Sequence, residues 1–358
     1  MCDCLTKIKN ILKENEAALI ISPSARLYLS GFHSSDGYVL ITKNKTMLFA
    51  DFRYFEAATK AADNVQVVLF EGVNSIKNHL NNINKIFIEP EFLSVFSFNK
   101  LKKDLGASIS KSNKISNIII KSRMVKTKSE LDSIKKAQQI CDAAFQYILT
   151  KIKVGKTEQE IMLDLEFFTR KQGSEGVAFD FIVVSGKNSS LPHGEPSNKK
   201  IEKGDFVTLD FGAVINGYRS DMTRTVAVGD VTAEQIKVYN TVLAAQKAAL
   251  AKIKAGAVCS SIDKTARDII ENAGYKGCFG HALGHSVGLN IHELPNFSPK
   301  CNTKLKENMV LTVEPGIYIN NKFGVRIEDM VIVKKGGCEN ITNSPKELIV
   351  LPAEECYN

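Results

Sequence analysis

The chain is organised around residues 280–295, which read GHALGHSVGLNIHELP. Three of the six histidines in the chain fall in this stretch, at His281, His285 and His292. Its three glycines allow the backbone to turn tightly and to approach a ligand closely. Histidines in glycine-rich loops are often only surface residues, so the stretch by itself is a hypothesis for a site. Acidic residues elsewhere in the chain are placed to complete a site with it.

Two aspartates occupy a predicted hairpin that precedes this stretch. Residues 205–228 are typical of a β-hairpin, because the Asn-Gly pair at 216–217 supplies the positive φ angles of a two-residue turn. This turn places Asp210 opposite Thr223 and makes Asp210 and Asp221 diagonal neighbours, about 7–8 Å apart at Cα. Apolar and polar residues alternate along the first strand, which indicates one buried face. We therefore expect the two carboxylates to converge.

Two glutamates follow in the last part of the chain. Glu314 closes a predicted strand, and residues 324–330 predict the next strand. On that strand Arg326 and Glu328 share one face, while Asp329 points the other way. Four carboxylates gathered without a counter-charge would repel each other, and some would take up protons unless metal ions were bound. Four carboxylates and one imidazole suit Mn²⁺, Co²⁺, Fe²⁺ or Zn²⁺, and carboxylates can bridge two ions about 3.5–4 Å apart.

The second part of the chain also repeats itself. The matched segments are KIKVG at 151–155 with KIKAG at 252–256, HGEP at 193–196 with HELP at 292–295, and the segment 203–210 with 306–314. Each half therefore gives two helices, a His-x-x-Pro element and a strand that ends in a carboxylate. Three matches in the same order at near-equal offsets predict two half-domains related by a pseudo-two-fold axis, with equivalent residues in one central cleft.

The first part of the chain alternates strands with helices, which indicates a compact α/β domain. The predicted elements are helices at 5–17, 52–62 and 94–105, and strands at 18–21, 38–42, 46–50, 65–70 and 85–88. His33 and His79 have no acidic or cysteine partner at ligand spacing, so we interpret both as non-ligands. The basic, polar residues 121–128 are predicted to form a linker, followed by a helix at 129–151.

Composition excludes several classes of protein. The net charge of +8 raises the question of nucleic acid, but the lysines are dispersed among 39 acidic residues, without a basic run interleaved with aromatics. We therefore expect no nucleic-acid partner. No apolar run approaches the roughly 18 residues of a membrane span, and the Lys-rich N-terminus has no signal segment. Eight scattered cysteines without a CxxC pair imply neither a disulfide framework nor a zinc knuckle, so we expect a reduced, cytoplasmic protein.

The chain resembles a known protein family. The residues that carry the resemblance, with the GHxxG and His-Glu-x-Pro motifs, are Asp210, Asp221, His285, Glu314 and Glu328. This ordered pattern resembles that of the pita-bread metallopeptidases: the Xaa-Pro aminopeptidases, the Xaa-Pro dipeptidases (prolidases) and the methionine aminopeptidases. The implied fold class is α/β with two domains. These are a creatinase-type α/β domain at residues 1–121, including FADFRY at 49–54, and a pita-bread, pseudo-two-fold α+β catalytic domain at 122–358.

The resemblance also implies a role for each site residue. The centre would hold two divalent metal ions, Mn²⁺ first, with Co²⁺ or Zn²⁺ as alternatives. Asp221 would chelate one ion, Asp210 would bridge both, and His285 and Glu328 would complete the sites. Glu314 would be both a ligand and the general base. The implied non-ligand residues are His193, His281 and His292, which would polarise the carbonyl, stabilise the oxyanion and orient the substrate, and Arg326, which would position the carboxylates.

Fewer residues indicate which branch of the family the chain resembles. Methionine aminopeptidases usually lack the creatinase-type domain, and the spacing of Glu314 and Glu328 fits the proline-specific branch. Prolidases commonly carry an arginine just after His-Glu-x-Pro to hold the dipeptide carboxylate, whereas this chain has Asn296. We therefore expect an aminopeptidase that acts on Xaa-Pro-peptides, with a Xaa-Pro dipeptidase as the alternative.

Two further alternatives are disfavoured, because all five ligands are present: a non-catalytic peptide-binding homologue and a creatinase-like metal-independent hydrolase. The expected partners are short proline-containing peptides and a second copy of the chain, as a homodimer.

Overall fold

The computed structural model describes residues 2–354, and the chain divides into two compact units between Arg123 and Met124. None of the helices described in it combines the length and the apolar composition that a bilayer crossing requires.

The first unit is built on a mixed six-stranded sheet. Its strands are β1 (Glu16–Ile20), β2 (Tyr38–Thr42), β3 (Thr46–Ala50), β4 (Gln66–Leu69), β5 (Lys85–Ile88) and β6 (Ser108–Ser110), in the order β4-β3-β2-β1-β5-β6. Its helices are α1 (Cys2–Ile11), α2 (Pro23–Ser30), α3 (Phe52–Ala61), α4 (Val73–Lys77), α5 (Val95–Leu105) and α6 (Lys114–Met124). The strands β1, β2 and β3 pair antiparallel, whereas β4, β5 and β6 join in parallel. The predicted α/β unit is confirmed.

The N-terminal elements differ from the prediction. The expected helix at 5–17 ends at Ile11, and residues 16–20 form the central strand β1, in which every side chain is buried. Its alanines suit a helix by propensity, but a strand covered on both faces needs small apolar side chains, and this requirement decides the outcome. The prediction also missed α2, although Ser22 caps it and Pro23 occupies its first turn.

The predicted linker at 121–128 is wrong over its first half. Helix α6 continues through Met124 because Ile115 and Ile119 anchor one of its faces in the core. The basic Lys121 and Arg123 lie in its last turn, where cations interact favourably with the carbonyl end of the helix. Only residues 125–127 separate α6 from the next helix.

The second unit contains four long helices and two main sheets. The helices are α7 (Lys128–Leu149), α8 (Glu158–Lys171), α9 (Ala233–Lys252) and α10 (Cys259–Ile270). A four-stranded sheet, ordered β19-β11-β8-β7, comprises β7 (Ile182–Ser185), β8 (Phe206–Phe211), β11 (Met222–Val228) and β19 (Val350–Leu351). A five-stranded sheet, ordered β13-β12-β14-β17-β18, comprises β12 (Gly284–Ser286), β13 (Glu293–Phe297), β14 (Val310–Val313), β17 (Asp329–Val333) and β18 (Cys338–Asn340). Two ribbons complete the unit: β9 (Val214–Ile215) with β10 (Tyr218–Arg219), and β15 (Gly316–Ile319) with β16 (Phe323–Arg326).

The predicted internal repeat is visible in the backbone. Gly155 and Gly256, equivalent in the two KIK segments, both adopt positive φ angles, 89° and 87°. Each donates a backbone hydrogen bond to an equivalent apolar residue, Gly155 to Ile201 O and Gly256 to Leu305 O, both at 2.9 Å. Each half therefore repeats one helix-turn-helix whose loop is held by the chain that leads to the carboxylate strand.

Each half has its own apolar core. In the first half, α7 and α8 pack on β7, β8 and β11 through residues that include Phe145, Leu165 and Leu209. In the second half, α9 and α10 pack on β14 and β17 through residues that include Val242, Ile262 and Leu311. Burial of these apolar faces fixes each helix pair against its sheet and so fixes where the carboxylate strands end.

The two halves are not identical, and one strand was predicted wrongly. The His-x-x-Pro elements do not share a local structure: His193 lies in a turn, whereas Glu293–Phe297 forms β13. The expected single strand at 324–330 is two strands, β16 and β17, in different sheets. Its break frees the backbone N–H of Glu328 to donate to Thr223 O in the other half, at 3.0 Å.

Candidate metal centre

The first half supplies two aspartates through its hairpin. The predicted turn and register are confirmed: residues 216 and 217 have φ angles of 52° and 76°, and Asp210 pairs with Thr223. Asp221 lies two residues from Thr223 and is therefore the diagonal neighbour of Asp210. Both aspartates are buried, at 8% and 4% exposure.

The second half supplies one histidine and two glutamates. His285 lies in β12, Glu314 follows β14, and Glu328 lies between β16 and β17. Gly284 is required for this arrangement, since a Cβ there would lie 2.1 Å from Thr312 O on the adjacent strand. The glycine thus allows β12 to approach β14 closely enough to bring His285 beside Glu314.

These residues from the two halves meet. His285 Nε2 lies 3.4 Å from Glu314 Oε1 and 3.6 Å from Asp221 Oδ2. Asp221, His285 and Glu328 each offer a ligand atom, and these three atoms lie within 4.8 Å of one another. The side chain of Asp210 contacts that of Asp221. The structure therefore brings the five predicted ligand residues into one cluster.

The tautomer of His285 fits metal binding. Its Nδ1 lies 3.2 Å from Ser286 O, so Nδ1 carries the proton and donates it to that carbonyl. The lone pair of Nε2 then points at the carboxylates of Asp221 and Glu314, as a metal-ligating imidazole requires. Burial lowers the pKa of His285 to about 4, with the nearby His292 acting in the same direction. The imidazole is neutral at neutral pH.

The carboxylates are not fully compensated by the protein. Asp210 Oδ1 and Glu328 Oε1 are buried and have no hydrogen-bond partner among the described residues. Their second oxygens are bound: Arg326 donates to Asp210 Oδ2 at 2.6 Å, and Thr223 donates to Glu328 Oε2 at 2.7 Å. Two oxygens without donors beside a lone pair of His285 form a set that a divalent cation would satisfy.

The pKa shifts in the cluster express the same deficit of positive charge. Burial raises the pKa of Asp221 well above its usual value, and the neighbouring carboxylates of Asp210 and Glu314 raise it further. Burial and Asp221 do the same to the pKa of Glu328. Burial raises the pKa of Glu314 to about 8, although Arg326 opposes the shift. Without cations, this cluster must hold protons.

The three predicted non-ligand histidines surround the cluster. The ring of His292 contacts that of His285, with centroids 4.5 Å apart. His281 Nδ1 lies 4.0 Å from Glu314 Oε2. Burial lowers the pKa of His281 to about 4 and that of His292 to below its usual value. The carbonyl of Pro192, the residue before His193, accepts from Arg326 Nη1 at 3.2 Å, so His193 lies beside the same centre.

Arg326 links several groups around the centre. Its Nη2 binds Asp210, its Nε donates to Thr223 Oγ1 at 3.1 Å, and its Nη1 donates to Tyr318 Oη at 2.9 Å. Tyr318 in turn lies 3.0 Å from His281 Nε2. The guanidinium is only 4% exposed, so it holds these partners in a fixed arrangement.

Three hydroxyl residues of the centre were not predicted as site residues: Thr223, Thr312 and Tyr318. Thr223 binds both Arg326 and Glu328, and Thr312 accepts from the N–H of His285 at 3.0 Å. The alternation of strand residues could have identified both threonines, because each lies two residues from a carboxylate on the same face. Tyr318 gave no such signal, since it lies on a separate ribbon.

A buried ion pair holds the histidine stretch in place. Asp263 and Arg267 pair on α10 at 2.9 Å. Arg267 donates to the carbonyls of Phe279 and His281, and Asp263 Oδ1 accepts from the N–H of Leu283. The glycine-rich stretch therefore has a defined conformation although it contains little regular structure.

Comparison with known proteins places this geometry in a family. The profile of metallopeptidase family M24 matches residues 132–335, and that of the creatinase/prolidase N-terminal domain matches residues 5–125. The Xaa-Pro dipeptidase of Pyrococcus furiosus is 38% identical over 352 residues, covering 98% of this chain and 100% of the relative.

Solved structures agree with the sequence matches. The Xaa-Pro dipeptidase from Bacillus anthracis superposes with a TM-score of 0.93 at 41% identity, covering 98% of this chain and 99% of the other. The X-Pro aminopeptidase from Thermotoga maritima gives a TM-score of 0.89 at 38% identity, covering 96% and 99%. These matches confirm the predicted family, the creatinase-type and pita-bread fold classes and an enzyme that uses divalent metal ions. The chain belongs to metallopeptidase family M24.

Proposed function

We propose that the protein is a dinuclear-metal aminopeptidase that releases the first residue from short Xaa-Pro-peptides. The observation that carries this proposal is the buried cluster in which Asp210 Oδ1 and Glu328 Oε1 have no hydrogen-bond donor among the described residues, while His285 Nε2 faces the carboxylates of Asp221 and Glu314. The proposed ligands are Asp210, Asp221, His285, Glu314 and Glu328. We propose Mn²⁺ as the metal, since four carboxylates and one imidazole form a hard, oxygen-rich set; Co²⁺ and Zn²⁺ are the alternatives. Bound divalent ions would lower the pKa of an attacking water and polarise the scissile carbonyl.

Glu314 is the proposed general base. Its Oε1 accepts a hydrogen bond from Thr312 at 3.1 Å, and its Oε2 faces His281. It therefore stands between the proposed ligand His285 and the non-ligand His281. From this position it would take the proton of the attacking water and return it to the leaving proline nitrogen, which needs a proton to depart as an amine.

The remaining residues would act on the substrate and on the ligands. His193, His281 and His292 surround the cluster, and the lowered pKa values of His281 and His292 keep both neutral at neutral pH. We assign to these histidines the polarisation of the carbonyl, the stabilisation of the oxyanion and the orientation of the substrate. Arg326 would fix Asp210 in its bridging position.

The preference for longer peptides depends on Asn296. This residue pairs with His285 across β12 and β13, and its Oδ1 accepts from Ser298 Oγ at 3.1 Å. A neutral amide next to the proposed ligand strand cannot neutralise the carboxylate of a dipeptide, which supports the aminopeptidase. The second candidate is a Xaa-Pro dipeptidase, supported by the names of the relatives from Pyrococcus furiosus and Bacillus anthracis.

The test compares a Xaa-Pro dipeptide with a Xaa-Pro-Xaa tripeptide, using metal-stripped protein resupplied with Mn²⁺. We expect hydrolysis of the tripeptide and weak or no hydrolysis of the dipeptide, and Asn296→Arg should raise the kcat/KM for the dipeptide by about tenfold, near 1.4 kcal/mol. Hydrolysis of the dipeptide alone would establish the dipeptidase. No metal-dependent hydrolysis of either peptide, or of methionyl peptides, would contradict the enzyme proposal and support a peptide-binding protein.

The remaining assignments are supported by the resemblance. We propose that residues 1–121 are the N-terminal domain and 122–358 the catalytic domain, with all nine site residues in the latter. We propose further that the protein is a cytoplasmic homodimer. Size-exclusion chromatography with light scattering would measure the mass of the assembly. Cell fractionation would show in which compartment the protein lies.

A further inference from the structure

A pair of cysteines lies outside the proposed metal centre. Cys259 begins α10, and Cys301 lies in the segment that follows β13. The backbones of the two segments are hydrogen-bonded: Cys259 N–H donates to Thr303 O at 3.0 Å, and Ser260 N–H donates to Cys301 O at 2.8 Å. The two side chains lie close enough for each to shift the pKa of the other. The fold therefore holds two sulfurs together that are 42 residues apart in the sequence.

The two thiols have different surroundings. Cys259 is fully buried, at 0% exposure, whereas Cys301 is half-buried. The N–H and the hydroxyl of Thr303, the N–H of Asn296 and the thiol of Cys259 are donor groups near the sulfur of Cys301, and each lowers its pKa. Donors around a sulfur stabilise its thiolate form, which is the nucleophilic form of cysteine.

The acid–base properties of the pair agree with this geometry. Partial burial raises the pKa of Cys301, but the donors from Thr303, Asn296 and Cys259 outweigh it and bring the pKa below its usual value. Burial raises the pKa of Cys259 to about 12, and the neighbouring Cys301 adds to the shift. One thiol is thus prepared to react, and the other is held neutral beside it.

We propose that Cys301 and Cys259 form a peroxide-sensitive dithiol, in which Cys301 is oxidised first and Cys259 then closes a reversible disulfide. The Cys301 thiolate attacks one oxygen of hydrogen peroxide, the O–O bond breaks, and hydroxide leaves; the sulfur becomes a sulfenic acid. The sulfur of Cys259 then attacks that of Cys301, the S–O bond breaks, and the departing hydroxide takes the Cys259 proton as water. The sum converts two thiols and one peroxide into a disulfide and two waters.

The disulfide would alter the support of β13. The N–H of Asn296, whose backbone pairs with His285, is one of the donor groups near the Cys301 sulfur. Oxidation replaces a thiolate acceptor with a disulfide sulfur, which is a weaker acceptor, so the support of the strand is weakened. A change in peptide hydrolysis on oxidation rests on the proposed function, whereas the covalent reaction does not.

The first test measures the alkylation rate of each cysteine by peptide mass spectrometry, with iodoacetamide at neutral pH. The protein carries Cys2→Ser and Cys356→Ser, so that the cysteines next to the two ends of the sequence do not contribute to the measured rates. Cys338 is the matched control, because it is also half-buried and burial raises its pKa. We expect Cys301 to react about tenfold faster than Cys338 or more; equal rates would contradict the proposal.

The second test treats the same protein with hydrogen peroxide and maps its disulfides. We expect a Cys259–Cys301 crosslink that thiol reductants reverse. In the Cys259→Ser variant, oxidation should stop at a sulfenic acid on Cys301, which a dione probe would capture. In the control variant Cys278→Ser, the crosslink should form unchanged. Absence of the crosslink in the protein that retains both cysteines would overturn the proposal, and this result does not depend on how any variant at either position folds.

Discussion

Glu328 and Asp329 are consecutive carboxylates with nearly equal burial, at 1% and 0% exposure, and with opposite surroundings. Asp329 Oδ1 accepts from Arg224 at 2.7 Å, and its Oδ2 accepts from Gln246 and from Lys346. These two cations bring the pKa of Asp329 below its usual value although burial opposes the shift. Glu328 instead keeps one oxygen without a donor, and burial together with Asp221 raises its pKa.

The difference separates carboxylates that serve the fold from those that serve a site. A buried charge is costly unless it is paired and hydrogen-bonded, and the chain supplies such partners to Asp329 from α9, β11 and the segment before β19. Among the described residues, it provides no such partner for Glu328 Oε1 or Asp210 Oδ1, and Glu328 faces Asp221 across the two halves. The cost of that arrangement is offset when divalent ions bind, so the uncompensated carboxylates mark the proposed centre.

The largest expected effect comes from removing an uncompensated charge. Glu328→Gln should lower the kcat/KM for a Xaa-Pro tripeptide by about 10³-fold or more, near 4 kcal/mol of transition-state stabilisation. The metal-stripped variant should unfold no more easily than the metal-stripped wild type, because the change relieves repulsion with Asp221. Denaturant unfolding and peptide hydrolysis measure the two properties. If the variant keeps its activity, Glu328 is not part of the metal centre.

The opposite pattern, a loss of stability, is expected at the next residue, Asp329. Asp329→Asn should lower the free energy of unfolding by about 3–5 kcal/mol, because it leaves the charges of Arg224 and Lys346 buried without a counter-charge. Asp268→Asn, which breaks an exposed i,i+4 pair with Lys264, is the control, at about 0.5 kcal/mol or less.

The effect of Asp329 should also depend on pH. Its folded-state pKa is depressed, so its stabilisation is present above the unfolded value and is lost as the pH falls through the folded value. The difference between Asp329→Asn and the wild type should therefore shrink in acid, below about pH 4. A difference that is constant down to the acid limit would assign the effect to packing instead.

A smaller effect is expected from the arginine that supports the centre. Arg326→Lys keeps the charge but loses the fork that joins Asp210, Thr223 and Tyr318. We expect activity or metal affinity to fall by about 10–100-fold. Calorimetric titration with Mn²⁺ and tripeptide kinetics would separate the two, and an unchanged affinity together with unchanged kinetics would assign Arg326 a structural role only.

The smallest expected effect is the pH dependence of metal binding. In the metal-free cluster the pKa of Glu314 is about 8, so its carboxyl is mostly protonated below that pH. Because a metal must displace this proton, the apparent affinity should rise with pH, about tenfold per unit for each proton released, and level off above about pH 8. Calorimetric titrations in buffers of different ionisation enthalpy would give the number of protons released when the metal binds. Binding without proton release would contradict the raised pKa values.

The sequence alone predicts the parts of the molecule that short-range rules control. The Asn-Gly turn and the two-residue period of strands were enough to pair Asp210 with Thr223, and three repeated segments in the same order were enough to indicate the two halves. In each case the decisive interaction lies within a few residues or within one hairpin.

Other features depend on contacts that no local pattern shows. The strand predicted at 324–330 breaks because Glu328 binds Thr223 in the other half, about 100 residues away. The cations that neutralise Asp329 also come from distant elements. The contact between Cys259 and Cys301 and the role of Tyr318 depend on tertiary packing in the same way, so the sequence gives no signal for them.

The most direct test of the central claim is the metal content of three proteins: the wild type, Glu328→Gln and Asp329→Asn. Each is stripped, re-equilibrated with Mn²⁺, and analysed for bound metal per chain at a temperature where all three are folded. We predict two ions for the wild type, a loss of at least one for Glu328→Gln, and full retention for Asp329→Asn. Equal metal content in the two variants would contradict the account, because the two adjacent carboxylates would then not differ in function.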